Sequence, residues 1–426
     1  MSALSGRPRR ASPFDRIPRD RLVTPTSRKW SLHPDTIGAW VAEMDYGTAP
    51  TVTAALHDAI EAGVLGYLSP SSAHEMAAAT SEYLADSYGW RVDAHRIHHV
   101  SDVMTALGVV IRDFSAPDSA VIVPTPAYMP FLTYPPTLGR EVIQVDGIVR
   151  DGRWQHDLDA IDAAFAAGAG TLVLCNPHNP TGVVLSREEL LAISEVVERH
   201  GGRVFADEIH APLIYPGQQH IPYASISEAA ARHTITGTSA SKAWNIPGLK
   251  TAQLITSNDD DEAVYQRFGF AVMHGAATPG VIATTAAYRD GREWLGEVVD
   301  YLDDNRRLLA DLLAEHLPEV GYRVPDATYI AWLDLRDLGL PLPLADFLRE
   351  EAGVTLTDGA LCGRDFAGWA RLVFAMPAPI LEQAVIAIAD AVRRHRGPGR
   401  AAAAPAVVAA APAVTPAPAA PAQETR

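Results

Sequence analysis

Between residue 120 and residue 256 the chain alternates short apolar, β-branched runs with helical stretches, and this alternation constrains the fold more than any other feature. Candidate strands are Val121–Pro124, Val142–Val145, Thr171–Cys175, Val204–Ala206, Thr234–Gly237 and Ala252–Thr256, with helical periodicity over Asp157–Ala166 and Arg187–His200 between them. A pattern of this kind defines an α/β domain built on a mainly parallel sheet. Ligands of such sheets sit beyond the carboxyl ends of the strands. The distinctive polar residues of this chain lie there.

Four strand ends carry them. Val121–Pro124 leads into Thr125-Pro-Ala-Tyr128, an aromatic ring at a Pro-bounded turn, and Thr171–Cys175 into Asn176-Pro-His-Asn179-Pro-Thr-Gly182, a loop presenting an amide. The third end is Asp207-Glu-Ile-His210, and the fourth is Gly237-Thr-Ser239-Ala-Ser241-Lys242. Taken singly, Tyr128 reads equally as a core aromatic and Asp207 as a solvated strand end. Their succession, each after a strand, is what points to a site.

Lys242 stands out further. The chain holds 35 Lys and Arg, yet the only lysines are Lys29, Lys242 and Lys250, two of them in one segment. Arginine replaces lysine on a solvated surface, but its guanidinium stays protonated and is no nucleophilic amine. Hydroxyls at Ser239 and Ser241, with Lys250 nearby, suit a phosphate, and a primary amine beside a phosphate suits covalently held pyridoxal phosphate. Upstream, His99-Val-Ser-Asp102 opens a helix at Asp102 or Val103, whose free amides form a second phosphate-binding element.

Charge and composition exclude other classes. A net charge of −16 over 426 residues disfavours a nucleic-acid binder, which needs a basic patch. No run of about 18 apolar residues offers a membrane span, and the start of the chain lacks the apolar core of a secretory signal. Cys175 and Cys362 make neither a disulfide framework nor a zinc spacing, so no metal and a cytoplasmic setting are expected.

Later the pattern changes. A long helical stretch over 292–316 precedes a strand at Tyr329–Leu335, further short elements, a strand at Arg371–Ala375 and a helix over 379–394. These define a smaller α+β domain, completed by residues near Trp40–Tyr46. Arg371 interrupts an apolar strand and reads as a carboxylate clamp. The expected organisation is a flexible basic arm (1–29), a large domain (30–290, with 30–48 contributing to the small one), a small domain (291–396) and a disordered Ala/Pro-rich tail (397–426).

In order and spacing, Asn179-Pro-Thr-Gly, Asp207, Ser239-x-Ser-Lys242 and Arg371 resemble the fold-type-I pyridoxal-phosphate enzymes of the aminotransferase class I/II superfamily, over roughly residues 35–395. Within it the chain looks most like the MalY/PatB-type carbon–sulfur lyases, often called cystathionine β-lyases, through Trp40-Val-Ala-Glu-Met-Asp-Tyr46, Gly66-Tyr67, Thr125-Pro-Ala-Tyr128, Asp207-Glu-Ile-His210 and Ser241-Lys-Ala-Trp-Asn245. The resemblance implies a seven-stranded large-domain sheet, with Lys242 linked to the cofactor and Asp207 on its ring nitrogen. It further places Asn179 and His210 near the ring hydroxyl, Tyr128 on the ring face, and Val103, Met104, Ser239, Ser241 and Lys250 at the phosphate. Arg371 would hold the substrate carboxylate, and Tyr67 would reach the neighbouring subunit's phosphate in a homodimer with shared sites.

Departures occur at Glu43 and Tyr46, where Asp and Phe are usual, at Asp358-Gly359 for Pro-Gly, and at Val373, where these lyases carry asparagine. The last bears on substrate choice. Elimination of a thiol from an S-substituted cysteine and transamination use the same residues, so the residues alone leave both open. A regulatory protein keeping the fold without turnover is the third reading, and intact Lys242 argues against it.

Overall fold

The computed structural model describes residues 11–397. Seven strands form the main sheet: β1 (Ile97–Val100), β2 (Ala120–Thr125), β3 (Val142–Asp146), β4 (Ala169–Cys175), β5 (Arg203–Asp207), β6 (Thr234–Thr238) and β7 (Ala252–Thr256). Their spatial order is β1-β7-β6-β5-β4-β2-β3. All pairings are parallel except those of β7, which runs antiparallel to both neighbours. This is the expected α/β, mainly parallel sheet of fold type I, with β1 added at one edge.

Helices cover the sheet, so its inner strands are buried on both faces; every residue of β6 and of β7 is buried. The helix Arg187–His200 shows how local sequence secures a covering element. Ser186 and Glu189 form a reciprocal capping box at its start, and Gly201 closes its end in the left-handed region at φ 61°. A cap of this kind contributes about 1 kcal/mol. Leu190, Ile193 and Val197 then fall on one face and pack with Ile161 and Phe165 of the helix Leu158–Ala166.

A second sheet of four antiparallel strands holds β8 (Gly321–Tyr322), β9 (Ile330–Asp334), β10 (Thr357–Asp358) and β11 (Trp369–Val373), in the order β8-β9-β11-β10. The helices Arg292–His316 and Ala378–Arg396 pack in the same core, where Leu302, Leu309, Leu381 and Val385 meet Leu333 and Leu372. Residues 37–46 join this layer. Ile37–Gly38 pairs in parallel with Val354–Thr355, Val373 donates its N–H to the Ala39 carbonyl at 2.8 Å, and Asp45 donates to that of Ala375 at 3.0 Å.

The flexible arm expected up to residue 29 is not what its described part shows. Residues 13–31 form short helical turns at Pro13–Arg16, Arg19–Leu22 and Arg28–Ser31. Phe14 is buried against Tyr46 and Tyr301, with ring centroids 4.8 and 5.2 Å apart. Lys29, far from a surface cation, is buried with its Nζ 2.9 Å from Asp45, and the Trp30 indole donates to the same carboxylate at 2.9 Å. Residues 1–10 and 398–426, the latter nearly all of the expected Ala/Pro tail, lie outside the described residues. Among the described residues no helix is long and apolar enough to cross a membrane.

Candidate active site

Because β2, β4, β5 and β6 run parallel, their carboxyl ends open on one side, and a cavity of about 1110 Å³ lies there, closed across by the second sheet and residues 40–42. Val103, Met104, Tyr128, Asn179, Asp207, His210, Ser239, Ser241, Lys242, Lys250 and Arg371 all line it. Among the expected site residues only Tyr67 stands apart, 98% exposed on the surface.

Lys242 sits in the turn after β6. The turn is tied to residues 44–47 by Asn245, which adopts a left-handed φ of 56° and uses both ends of its amide: Oδ1 accepts from Met44 N, and Nδ2 donates to the Met44 and Gly47 carbonyls. Asparagine tolerates that conformation better than most residues. Lys242 Nζ donates to the Ala42 carbonyl at 2.9 Å. Desolvation, and then the nearby Arg371 guanidinium, lower its pKa to about 8, against the opposing pull of Glu43 and Asp207. An amine so placed is a nucleophile and base near neutral pH.

Asp207 ends β5 and accepts from Ile209 N at 3.1 Å. Burial pushes its carboxyl up to about 7, although that hydrogen bond and Lys242 both favour the anion. A carboxylate this deep calls for a cation against it. Burial, then the charges of Lys242 and Arg371, hold His210 down to about 3, so it is a neutral imidazole whose Nδ1 has no partner among the described residues. The Tyr128 ring meets Phe131 edge-on, 5.4 Å between centroids.

Arg371 enters from β11 and is 3% exposed. Its Nη1 donates to Asn179 Oδ1 at 3.3 Å, and its Nη2 to the Trp40 carbonyl at 3.0 Å and Thr357 Oγ1 at 3.4 Å. Its Nε has no partner among the described residues. A buried guanidinium on a cavity wall, with one donor unmet, is suited to a carboxylate ligand.

Two expected phosphate contacts are arranged differently. The Ser239 hydroxyl donates to the Thr251 carbonyl at 2.8 Å and accepts from Ser241 N at 3.0 Å, so it braces the loop. Lys250 Nζ pairs with Asp102, whose other oxygen caps Thr105 N at the start of the helix Val103–Val109. Sequence reasoning missed three groups altogether. The Trp40 and Ala42 carbonyls hold Arg371 and Lys242, and the Ala42 oxygen also accepts from Tyr329 Oη at 3.0 Å. Backbone acceptors carry no side-chain signature, so nothing in the residue types marked them. Arg28, the third, also lines the cavity.

Residues 39–388 match the model of the family Aminotransferase class I and II, and the chain belongs to that family. Among its relatives, the cystathionine beta-lyase of Corynebacterium glutamicum is 39% identical over 374 residues, covering 87% of this chain and 98% of that protein. Cystathionine beta-lyase PatB of Bacillus subtilis is 32% identical over 371 residues, 84% of this chain and 94% of its own length. The crystal structure of the PLP-bound C-S lyase from Staphylococcus hominis superposes with a TM-score of 0.81 at 28% identity, covering 90% of this chain and 98% of that one.

Proposed function

We propose that the protein is a pyridoxal-phosphate-dependent carbon–sulfur β-lyase that cleaves L-cystathionine or a related S-substituted cysteine. The observation that carries the reading is one cavity holding a depressed amine, Lys242, a buried carboxylate, Asp207, and a guanidinium with an unmet donor, Arg371. The set fits the cofactor. A protonated ring nitrogen supplies the cation that Asp207 calls for, and Lys242 is the amine able to hold an aldehyde covalently. Asn179 and His210 would face the ring hydroxyl and Tyr128 the ring. The amides of Val103 and Met104, with Ser241 and Lys250, would meet the phosphate, Lys250 exchanging its contact with Asp102.

When bound, the cofactor supplies an electron sink for the bonds at the substrate Cα. The remaining steps belong to the protein. Arg371 takes the substrate α-carboxylate in a bidentate pair and so orients the Cα–H bond, and Lys242 Nζ, with its lowered proton affinity, removes that proton as general base. Loss of the Cβ–S bond then releases a thiol. With one water consumed, the remainder leaves as pyruvate and ammonia.

Relatives bearing the lyase name over nearly their whole length favour elimination over transamination. Purified protein given L-cystathionine should release pyruvate, ammonia and thiol in equal amounts with no keto acid added. Turnover that requires a keto acid and frees no thiol would replace the lyase by an aminotransferase. We further propose a homodimer, in which Tyr67 on its exposed loop reaches the other subunit's phosphate site, and a division into a large unit around the seven-stranded sheet and a small one around the four-stranded sheet.

A further inference from the structure

The wall of the cavity opposite the strand ends includes Arg28, from the segment that composition marks as a mere solvated arm. Its position is held by its neighbours. Lys29 and Trp30 both bind the Asp45 carboxylate, and Lys29 also reaches the Glu43 carbonyl at 3.2 Å, so the helical turn Arg28–Ser31 is fixed onto residues 43–45. Arg28 lies with its guanidinium carbon 5.7 Å from the centroid of the Trp40 ring. That ring's N–H donates to the Lys29 carbonyl at 3.1 Å, which closes the arrangement. Arg28 and Arg371 therefore touch the same residue, one at the ring and the other at the carbonyl oxygen of Trp40.

The other cations on the cavity wall already have roles: Lys242 and Lys250 would serve the cofactor, and Arg371 the α-carboxylate. Lys250 is paired with Asp102, and Arg371 is held by Asn179, Trp40 and Thr357. Of the acids on the same side, Asp346 is bound by Arg349 at 2.6 Å, while Asp358 accepts from Ala345 N at 3.1 Å and Ala360 N at 2.9 Å. Arg28 has no carboxylate partner among the described residues, and its exposed guanidinium, beside the Trp40 ring, keeps its N–H donors for a ligand.

From this we infer that Arg28 is a specificity residue: it binds a carboxylate at the far end of the sulfur substituent while Arg371 holds the α-carboxylate. The preferred substrates are then S-substituted cysteines whose leaving thiol itself carries a carboxylate. The inference rests on the lyase reading and narrows it. The helical turn that carries the arginine is fixed before substrate arrives, which lowers the ordering entropy that opposes the contact.

The test compares full-length, cofactor-loaded wild type with Arg28→Met, which keeps an apolar stem over Trp40, and Arg28→Lys, which keeps the charge. Each is assayed with L-cystathionine, which bears the distal carboxylate, and S-ethyl-L-cysteine, which lacks it. The ratio of the two kcat/KM values should fall about 10- to 100-fold in Arg28→Met, the scale of a lost charge-assisted hydrogen bond. The fall should appear mainly in KM, with Arg28→Lys intermediate. Equal losses on both substrates, or no change in the ratio, would overturn the assignment and leave the lyase intact. A wild type that cleaves neither substrate removes the lyase reading, and this inference with it.

Discussion

Asp207 and Lys242 are held where burial works against their charges, and the signs are opposite for acid and base. Between pH 3.8 and about 7 the folded, cofactor-free protein binds a proton at Asp207 that the unfolded chain has released. Its contribution to stability is therefore complete below pH 3.8 and lost as pH rises through about 7. Lys242, lowered from 10.5 to about 8, acts above that window, where it makes stability rise with pH. Asp207→Asn removes the acidic slope. Thermal melts of cofactor-free protein should show the variant gaining on wild type from pH 4 to 7 and levelling off above, and a pH-independent difference would contradict the burial assigned here. The same variant should lose roughly 10²–10³ in turnover when loaded, as expected for a preorganised electrostatic partner. At this scale much was legible in the sequence: Lys242, Asp207, Asn179 and Arg371 could be found because each follows or interrupts a strand with an ill-fitting polar type. Ser239 was read as a ligand because a hydroxyl at a strand end looks the same whether it faces a phosphate or braces its own loop.

At the scale of elements, the N-terminal turns were illegible for a physical reason. Helical turns of four residues span too little chain to show a period, and their burial depends on partners such as Tyr301, far along the sequence. The ion pair of Lys29 with Asp45 is the anchor of this region, with side chains 1% and 4% exposed. Lys29→Met strands a buried carboxylate and should cost about 3–5 kcal/mol. Lys29→Met with Asp45→Asn should recover most of that in urea unfolding, whereas equal losses in the single and double variants would mean the pair contributes little. The edge strand β1 was hidden by His98 and His99, and the reversed direction of β7 by the fact that an apolar run carries no arrow. The strand–helix alternation itself was read correctly, since six of the main-sheet strands fall on short runs rich in apolar and β-branched residues.

For the whole molecule, one group of exposed apolar side chains lies in the chain around Tyr67: Ile60 is 59% and Leu65 65% exposed. This loop is tied to the body where Thr278 Oγ1 donates to the Gly66 carbonyl at 2.9 Å. A second subunit is the proposed cover. Sedimentation should give a dimer, and Leu65→Asp should shift it toward monomer. Mixed dimers of Tyr67→Phe and Lys242→Ala chains should regain one working site; if they stay inactive while both parents are impaired, the shared site is wrong. A different consequence follows from the course of residues 39–45 between the two sheets. This stretch leaves the ribosome early, yet it bonds to Lys242 and Asn245 about 200 positions later and to Arg371 and Ala375 about 330 later. During synthesis it must wait for these partners, first Lys242 and Asn245 and only later Arg371 and Ala375. The site is thereby incomplete until Arg371 has been made.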